Sequence, residues 1–203
     1  MGWYRERVLP HLVDRALRAP GMADWRRRTV VGLRGTVVEI GFGSGLNVPH
    51  YPPEVEVVLA VEPALLARRL AAPRIAATAV PVRHIGLDGQ RLPLDDASCD
   101  GALSTFTLCT IPDVATALGE LARVLRPGAT FHLLEHGVAP DAGIARLQRL
   151  LDPLQHRVAD GCHLTRDPLD LVTAAGFRIT EVEQAYAGAP SPWGWLTCAV
   201  ATR

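Results

Sequence analysis

The chain has 203 residues, 48% of them hydrophobic, with 21 basic side chains against 21 acidic ones. That length suits a single domain, 1–203, with a substantial core, and the balanced charge offers no electrostatic basis for a nucleic-acid partner. Four scattered cysteines without a CxxC pair argue against a disulfide framework, and no run approaches 18 apolar residues, so no integral membrane segment is expected. Arg5, Glu6 and Arg7 stand where a signal peptide would be apolar, and together these features indicate a cytoplasmic protein.

Residues 3–19 place Trp3, Tyr4, Val8, Leu12, Ala16 and Leu17 at spacings near three and four. This is the pattern of an amphipathic helix, kinked or begun afresh at Pro10. Arg26, Arg27 and Arg28 follow Trp25. Residues 1–30 therefore read as a helical extension with three open roles: a lid over a ligand, a foot on a membrane surface, or a helix with a solvated basic face.

The next stretch is Val37-Val38-Glu39-Ile40-Gly41-Phe42-Gly43-Ser44-Gly45. A buried strand over 36–41 delivers the chain into a GxGxG turn, where glycine permits positive φ and close approach of a ligand. A second strand, 57–62, ends in Glu62, placed to take both hydroxyls of a ribose. A dinucleotide fingerprint needs a third glycine where Leu46 stands, and Pro49, Pro52 and Pro53 cut short any helix aimed at a pyrophosphate. A nucleoside ligand without phosphates fits better, and S-adenosylmethionine (SAM) is one.

A helix follows over 64–72, stopped by Pro73, then a third strand, 79–85, and a fourth, Cys99–Thr105. Leu118, Leu121, Ala122 and Leu125 share one face of a helix over 113–126, with Asp113 as cap and Pro127-Gly128 as its end. A fifth strand covers 129–135 and a helix 142–157. Asp167 caps the next helix, Pro168 opens it and Gly176 lies past its end. Strands over 177–186 and 195–202 finish the chain. The alternation predicts an α/β fold: a Rossmann-like, doubly wound, seven-stranded, mostly parallel sheet closed by a C-terminal β-hairpin. Its ligand belongs over the carboxyl ends of strands one, two and four.

The segments VVEIGFGSG, AVEP, GLDGQRLPLDDASCD and ELARVLRPGATFHLLEH resemble the class I SAM-dependent methyltransferases, and the resemblance runs from about Thr36 to the end. Leu151-Asp152-Pro153, His156, Asp160-Gly161-Cys162 and Leu164-Thr165-Arg166 resemble the methyltransferase-like protein 7 family. So do Thr107-Leu108-Cys109 and Glu135-His136. Members of that family are thiol S-methyltransferases acting on small alkyl thiols, and usually begin with a membrane-anchoring segment. None is seen here, which suggests a soluble bacterial relative. The resemblance implies that Glu39, Gly41, Gly43 and Gly45 shape the turn around the methionine part of SAM. It assigns the ribose to Glu62, the adenine faces to Pro63 and Leu87, and the methionine tail to the backbone near Phe106. Asp88 either accepts from the adenine amino group or is a plain Asp-Gly turn residue. The product is S-adenosylhomocysteine.

Methyl transfer from a sulfonium is an in-line displacement that needs an electron-rich acceptor. Deprotonating a thiol at neutral pH costs about 2 kcal/mol and a phenol about 4 kcal/mol, so a thiol manages with a modest base. Asp152, His156, Asp160 and His163 cluster in the family-like segment. Asp152 and His156, at i and i+4 on one helix, are expected to meet, making His156 or Asp160 the expected base with His136 in support. Cys109 and Cys162 read as pocket lining. His132-Leu133-Leu134-Glu135-His136 matches a zinc-protease pattern, but as a strand it holds its histidines about 13 Å apart, and no metal is expected. The acceptor is a small molecule. Alternatives to a thiol are N-, O- or C-methylation of a quinone, phospholipid or natural product precursor, an NAD(P) oxidoreductase, or a SAM-binding sensor module.

Overall fold

A computed structural model describes residues 2–19 and 21–203; Met1 and Pro20, inside the expected extension, lie outside the described residues. Three short helices precede the sheet: α1 (Gly2–Arg7), α2 (Leu9–Ala16) and α3 (Met22–Thr29). The helix expected over 3–19 is broken at Val8. Pro10 falls in the first turn of α2, where its missing N–H leaves no bond unmade.

Seven strands form one sheet in the order β3-β2-β1-β4-β5-β7-β6. They are β1 (Gly35–Ile40), β2 (Val55–Val61), β3 (Val82–Gly86), β4 (Cys99–Thr105), β5 (Leu125–His136), β6 (Arg178–Tyr186) and β7 (Trp195–Thr202). Neighbours from β3 to β5 pair in parallel, and β7 enters antiparallel between β5 and β6. The expected doubly wound sheet and closing hairpin are both present. Val37 to Ile40 are buried throughout, as a central strand covered on both faces requires.

Helices α4 (Leu65–Ala77), α5 (Val114–Val124), α6 (Ala142–Val158) and α7 (Pro168–Ala174) complete the fold. Val114, Ala117, Leu118, Leu121 and Val124 form the buried stripe of α5, packed with Phe131 and Leu133 of β5. Each such leucine contributes about 1.5–3 kcal/mol. Asp113 caps α5 by accepting from the Thr116 N–H at 3.0 Å, and Asp167 caps α7 through the Leu169 N–H at 2.9 Å. Among the described residues no helix is long and apolar enough to cross a membrane.

Several boundaries differ from those expected. Helix α4 runs through Pro73, where a stop was expected, while α6 runs through Pro153 as the helix expected over 142–157 does. Both prolines are exposed, so each carbonyl that loses its partner, Arg69 and Arg149, lies on a face where water replaces it. Strand β3 starts only at Val82, because Pro81 has no N–H and offers just its carbonyl to Val58. Pro127-Gly128 does not end α5. It lies in a bulge of β5, where pairing jumps from Cys99–Leu125 to Gly101–Thr130 and Gly128 takes φ +79°.

From β1 the chain winds outward through β2 to β3, and from β4 it winds the other way through β5. The reversal between β1 and β4 opens a crevice at their carboxyl ends.

Candidate functional site

Strand β1 hands the chain to Gly41, at φ +66°, with Gly43 at +57° and Gly45 at +74°. A Cβ added at Gly45 would press on Val48 and Ala71 at 3.1 and 3.2 Å, whereas at Gly43 it meets nothing nearer than the Gly41 carbonyl, 3.8 Å away. The middle of the turn therefore faces open space. The Gly43 N–H donates to Glu62 Oε2 at 2.7 Å and the Ala64 N–H to Oε1 at 2.8 Å. Each oxygen keeps a lone pair for one more donor, and a ribose diol presents two. Burial pushes the Glu62 carboxyl up, against the pull of the Ala64 and Gly43 amides. An open glycine cradle beside a two-oxygen acceptor fits the nucleoside of SAM.

Pro63 and Leu87 are exposed near the rim. Asp88 Oδ1 accepts from the Gln90 N–H at 2.8 Å and from its side-chain amide at 3.1 Å, so Asp88 does make an Asx turn. Leu87 and Asp88 line an open cleft of 710 Å³.

Behind the turn Glu39 is fully buried. Side chains supply the partners that a buried carboxylate needs. Asn47 Nδ2 donates to Oε1 at 2.8 Å and the Tyr51 hydroxyl to Oε2 at 2.5 Å. Arg26 reaches in from α3, with Nη1 donating to Asn47 Oδ1 at 2.7 Å and Thr105 Oγ1 at 3.1 Å. The basic run is thus split: Arg26 is 4% exposed, Arg27 pairs with Asp24, and Arg28 pairs with Glu183 and lies over the Trp25 ring. Asp14 of α2 accepts from Ser44 Oγ at 2.6 Å and pairs with Arg74, which packs α2 on the glycine turn.

On the other side of the crevice Phe106 takes φ +55°, a conformation that costs about 1–3 kcal/mol. It is held by its N–H to the Leu134 carbonyl at 2.9 Å and by buried Glu135 of β5. Glu135 accepts from Ser104 Oγ at 2.8 Å, the Thr107 N–H at 3.0 Å and the Leu108 N–H at 3.1 Å. Beyond it His136 Nε2 lies 3.3 Å from Cys162 Sγ, and the Cys109 thiol also meets Cys162. Hydrogen bonding from Cys109 and His136 holds the Cys162 thiol down, and the Cys109 thiol is pushed up in turn.

The expected Asp152–His156 pair does not form. Asp152 Oδ2 meets His163 Nδ1 at 3.1 Å, and Oδ1 accepts from the Leu164 N–H at 2.6 Å. Burial raises the Asp152 carboxyl, but those bonds outweigh it and hold the group below its ordinary value. The loop amide reaches the carboxylate without the side-chain ordering that an exposed His156 would require. His156 instead stacks on His163, ring centroids 4.5 Å apart, and exposed Asp160 pairs with Arg5 at 3.0 Å. The zinc-protease-like run is a strand: His132 bonds to Thr29 and Thr130, away from His136.

A family model for the methyltransferase domain matches residues 38–133. The chain is 31% identical to thiol S-methyltransferase TMT1B of Rattus norvegicus over 169 residues, 79% of this chain and 66% of that protein. Against TMT1B of Homo sapiens identity is 30% over 175 residues, 82% of this chain and 69% of that one. This chain belongs to the class I SAM-dependent methyltransferases. It spans about two thirds of the length of these relatives. A solved SAM-dependent methyltransferase from Thermotoga maritima shares the fold with a TM-score of 0.67 at 21% identity, covering 99% of this chain and 100% of that one.

Within this methyltransferase the sequence carries few signals for Arg26, Asn47 and Tyr51. An arginine in a basic run looks solvated, and only the lone acid inside an apolar strand hints that a partner must come. That acid sets a pH dependence. Burial pushes the Glu39 carboxyl up to about 7, against hydrogen bonds from Tyr51 and Asn47 and the charge of Arg26. Between about pH 4.5 and 7 the folded protein keeps this proton while the unfolded chain has released it. Folding stability is therefore expected to fall as pH rises through that window, by on the order of 3 kcal/mol from this group. In Glu39→Gln the amide keeps Asn47 as donor and turns its NH2 to the Tyr51 oxygen, so this group's share of the fall should vanish. Urea unfolding of both proteins at pH 4.5 and 7 measures it; equal slopes would contradict the assignment.

Proposed function

We propose that this enzyme transfers the methyl group of SAM to the sulfur of a small thiol. The observation that supports the acceptor is the 30–31% identity, over about four-fifths of the chain, to proteins named thiol S-methyltransferases. In this reading Gly41, Gly43 and Gly45 cradle the cofactor and Glu39 braces the turn from behind. Glu62 takes the ribose hydroxyls, Pro63 and Leu87 cover the adenine, Asp88 offers Oδ2 to its amino group, and Phe106 lines the methionine tail. Helices α1 to α3 cover the glycine turn as part of one domain.

Bound SAM supplies a methyl group already activated by its sulfonium charge. The chain must supply a positioned sulfur stripped of its proton, at a cost of about 2 kcal/mol for a thiol near neutral pH. Asp152 and His163 suit that task. The carboxylate fixes the proton on Nδ1 and leaves Nε2 as acceptor for the thiol proton. His156, stacked on His163, and Asp160, tied to Arg5, position that loop, with buried His136 at its back.

Labelled SAM incubated with an alkyl thiol, a catechol, a quinol and an amine tests the acceptor. Label is expected in the thioether alone, and His163→Ala should slow it roughly 100-fold. Label only in the catechol, quinol or amine product would reject the thiol reading and leave the cofactor site standing.

A further inference from the structure

Cys109, His136 and Cys162 have no part in holding the nucleoside or in the proton transfer proposed above. They come from the turn after β4, the last residue of β5 and the loop after α6. One ligand atom from each lies within 4.8 Å of the other two, and all three residues are buried. Ligands around a tetrahedral zinc, with Zn–S near 2.3 Å and Zn–N near 2.0 Å, stand roughly 3.5–3.8 Å apart, so closing on an ion takes shifts of about 1 Å. The His136 ring points its Nε2 at Cys162, and its Nδ1 is buried without a hydrogen-bond partner among the described residues. Its polar contact is thus given over to the cluster.

Thiolate sulfur and imidazole nitrogen are donors that zinc selects, and two cysteines with one histidine form a set that leaves the fourth position open. Two thiolates balance the ion's charge, so the loaded site is neutral where a bare buried charge would be costly. The ligands are also braced from outside. The Thr110 hydroxyl lies 3.8 Å from Cys109 Sγ, and the His163 N–H donates to the Cys109 carbonyl at 2.9 Å. That last bond ties the cluster to the loop bearing the Asp152–His163 pair.

We propose that Cys109, His136 and Cys162 bind one zinc ion, and that its open position takes the acceptor as a zinc-bound thiolate. The identity of the fourth ligand rests on the thiol reading; the ion does not. Binding breaks the acceptor's S–H bond and forms a Zn–S bond. The proton passes to His163 Nε2, and no electrons are exchanged.

The whole chain, expressed with added zinc and purified reduced and without chelator, is assayed for metal by elemental mass spectrometry. About one zinc per chain is expected, reduced roughly tenfold or more in Cys162→Ser and Cys109→Ser and unchanged in Cys198→Ser, which lies outside the cluster. Because a buried cysteine variant can fail to fold, wild-type protein loaded with cobalt carries the test independently. A thiolate-to-cobalt charge-transfer band and tetrahedral visible bands are expected, and a small alkyl thiol should shift the visible bands. Fully reduced wild-type chain that stays free of zinc and cobalt overturns the ion. Zinc retained undiminished by folded Cys162→Ser overturns the ligand set. A cobalt spectrum unmoved by alkyl thiol overturns the open position. Bound zinc with methyl transfer only to non-thiol acceptors leaves the ion in place and overturns the thiolate.

Discussion

Glu135→Ala should lose on the order of 4 kcal/mol of folding stability and nearly all methyl transfer. The carboxylate is 1% exposed and gathers the Ser104 hydroxyl and the amides of Thr107 and Leu108. Its removal strands three buried donors at about 1–3 kcal/mol each, offset in part by relief of the buried charge. The same bonds hold the turn in which Phe106 keeps its left-handed backbone, so the wall of the crevice should loosen with them. Glu135→Gln separates geometry from charge. Oε1 accepts from all three donors, and an amide with its oxygen in that place keeps them but sets its NH2 against the Thr107 N–H, donor facing donor. It should cost about 1–3 kcal/mol, the scale of one unsatisfied buried donor. Urea unfolding monitors both variants, and an alanine variant as stable as wild type would contradict the account. A chain of this length has roughly 10 kcal/mol or more to lose, so the weakened enzyme still folds for assay.

The second large effect belongs to Gly41→Ala. The added Cβ would stand 1.9 Å from Thr107 Oγ1 and 2.6 Å from Thr107 Cβ, at a φ of +66°. Left-handed backbone costs about 1–2 kcal/mol and overpacking about 1–3 kcal/mol, a loss of roughly 2–5 kcal/mol together. The turn must move to relieve the clash, and SAM affinity should drop roughly 100-fold, the equivalent of about 3 kcal/mol. Thr107→Ala should not rescue it, because the Thr107 Cβ itself collides, whereas Thr107→Gly should restore the packing share. Calorimetric titration with SAM and thermal unfolding check each step. Rescue by Thr107→Ala would show that the glycine is needed for another reason.

The glycine turn and the strand-tip acid were legible in the sequence because their constraints are local. A glycine forced to positive φ, a strand rich in Val and Ile, and an acid at the next strand's tip each declare themselves within a few residues. The doubly wound, mostly parallel sheet followed from the alternation of elements, and its closing hairpin from the last two strands. The contacts around Asp152 and His136 were less legible because they join distant segments. Asp152 had a helical neighbour at i+4, yet a loop amide twelve residues on competed better for its carboxylate. Cys109, His136 and Cys162 carry no spacing rule, since the topology alone brings the ends of β4 and β5 to the loop after α6. Pro73 looked like a helix stop because burial, which decides whether a lost hydrogen bond matters, is not written beside a proline.

The most direct test of thiol methylation pairs an alkyl thiol with the alcohol of the same carbon skeleton, each given SAM carrying a carbon-13 methyl group. The account predicts a labelled methyl thioether and S-adenosylhomocysteine in equal amounts from the thiol, and no ether from the alcohol, whose proton is far harder to remove. Equal turnover of the two, or a labelled ether without a thioether, would contradict it.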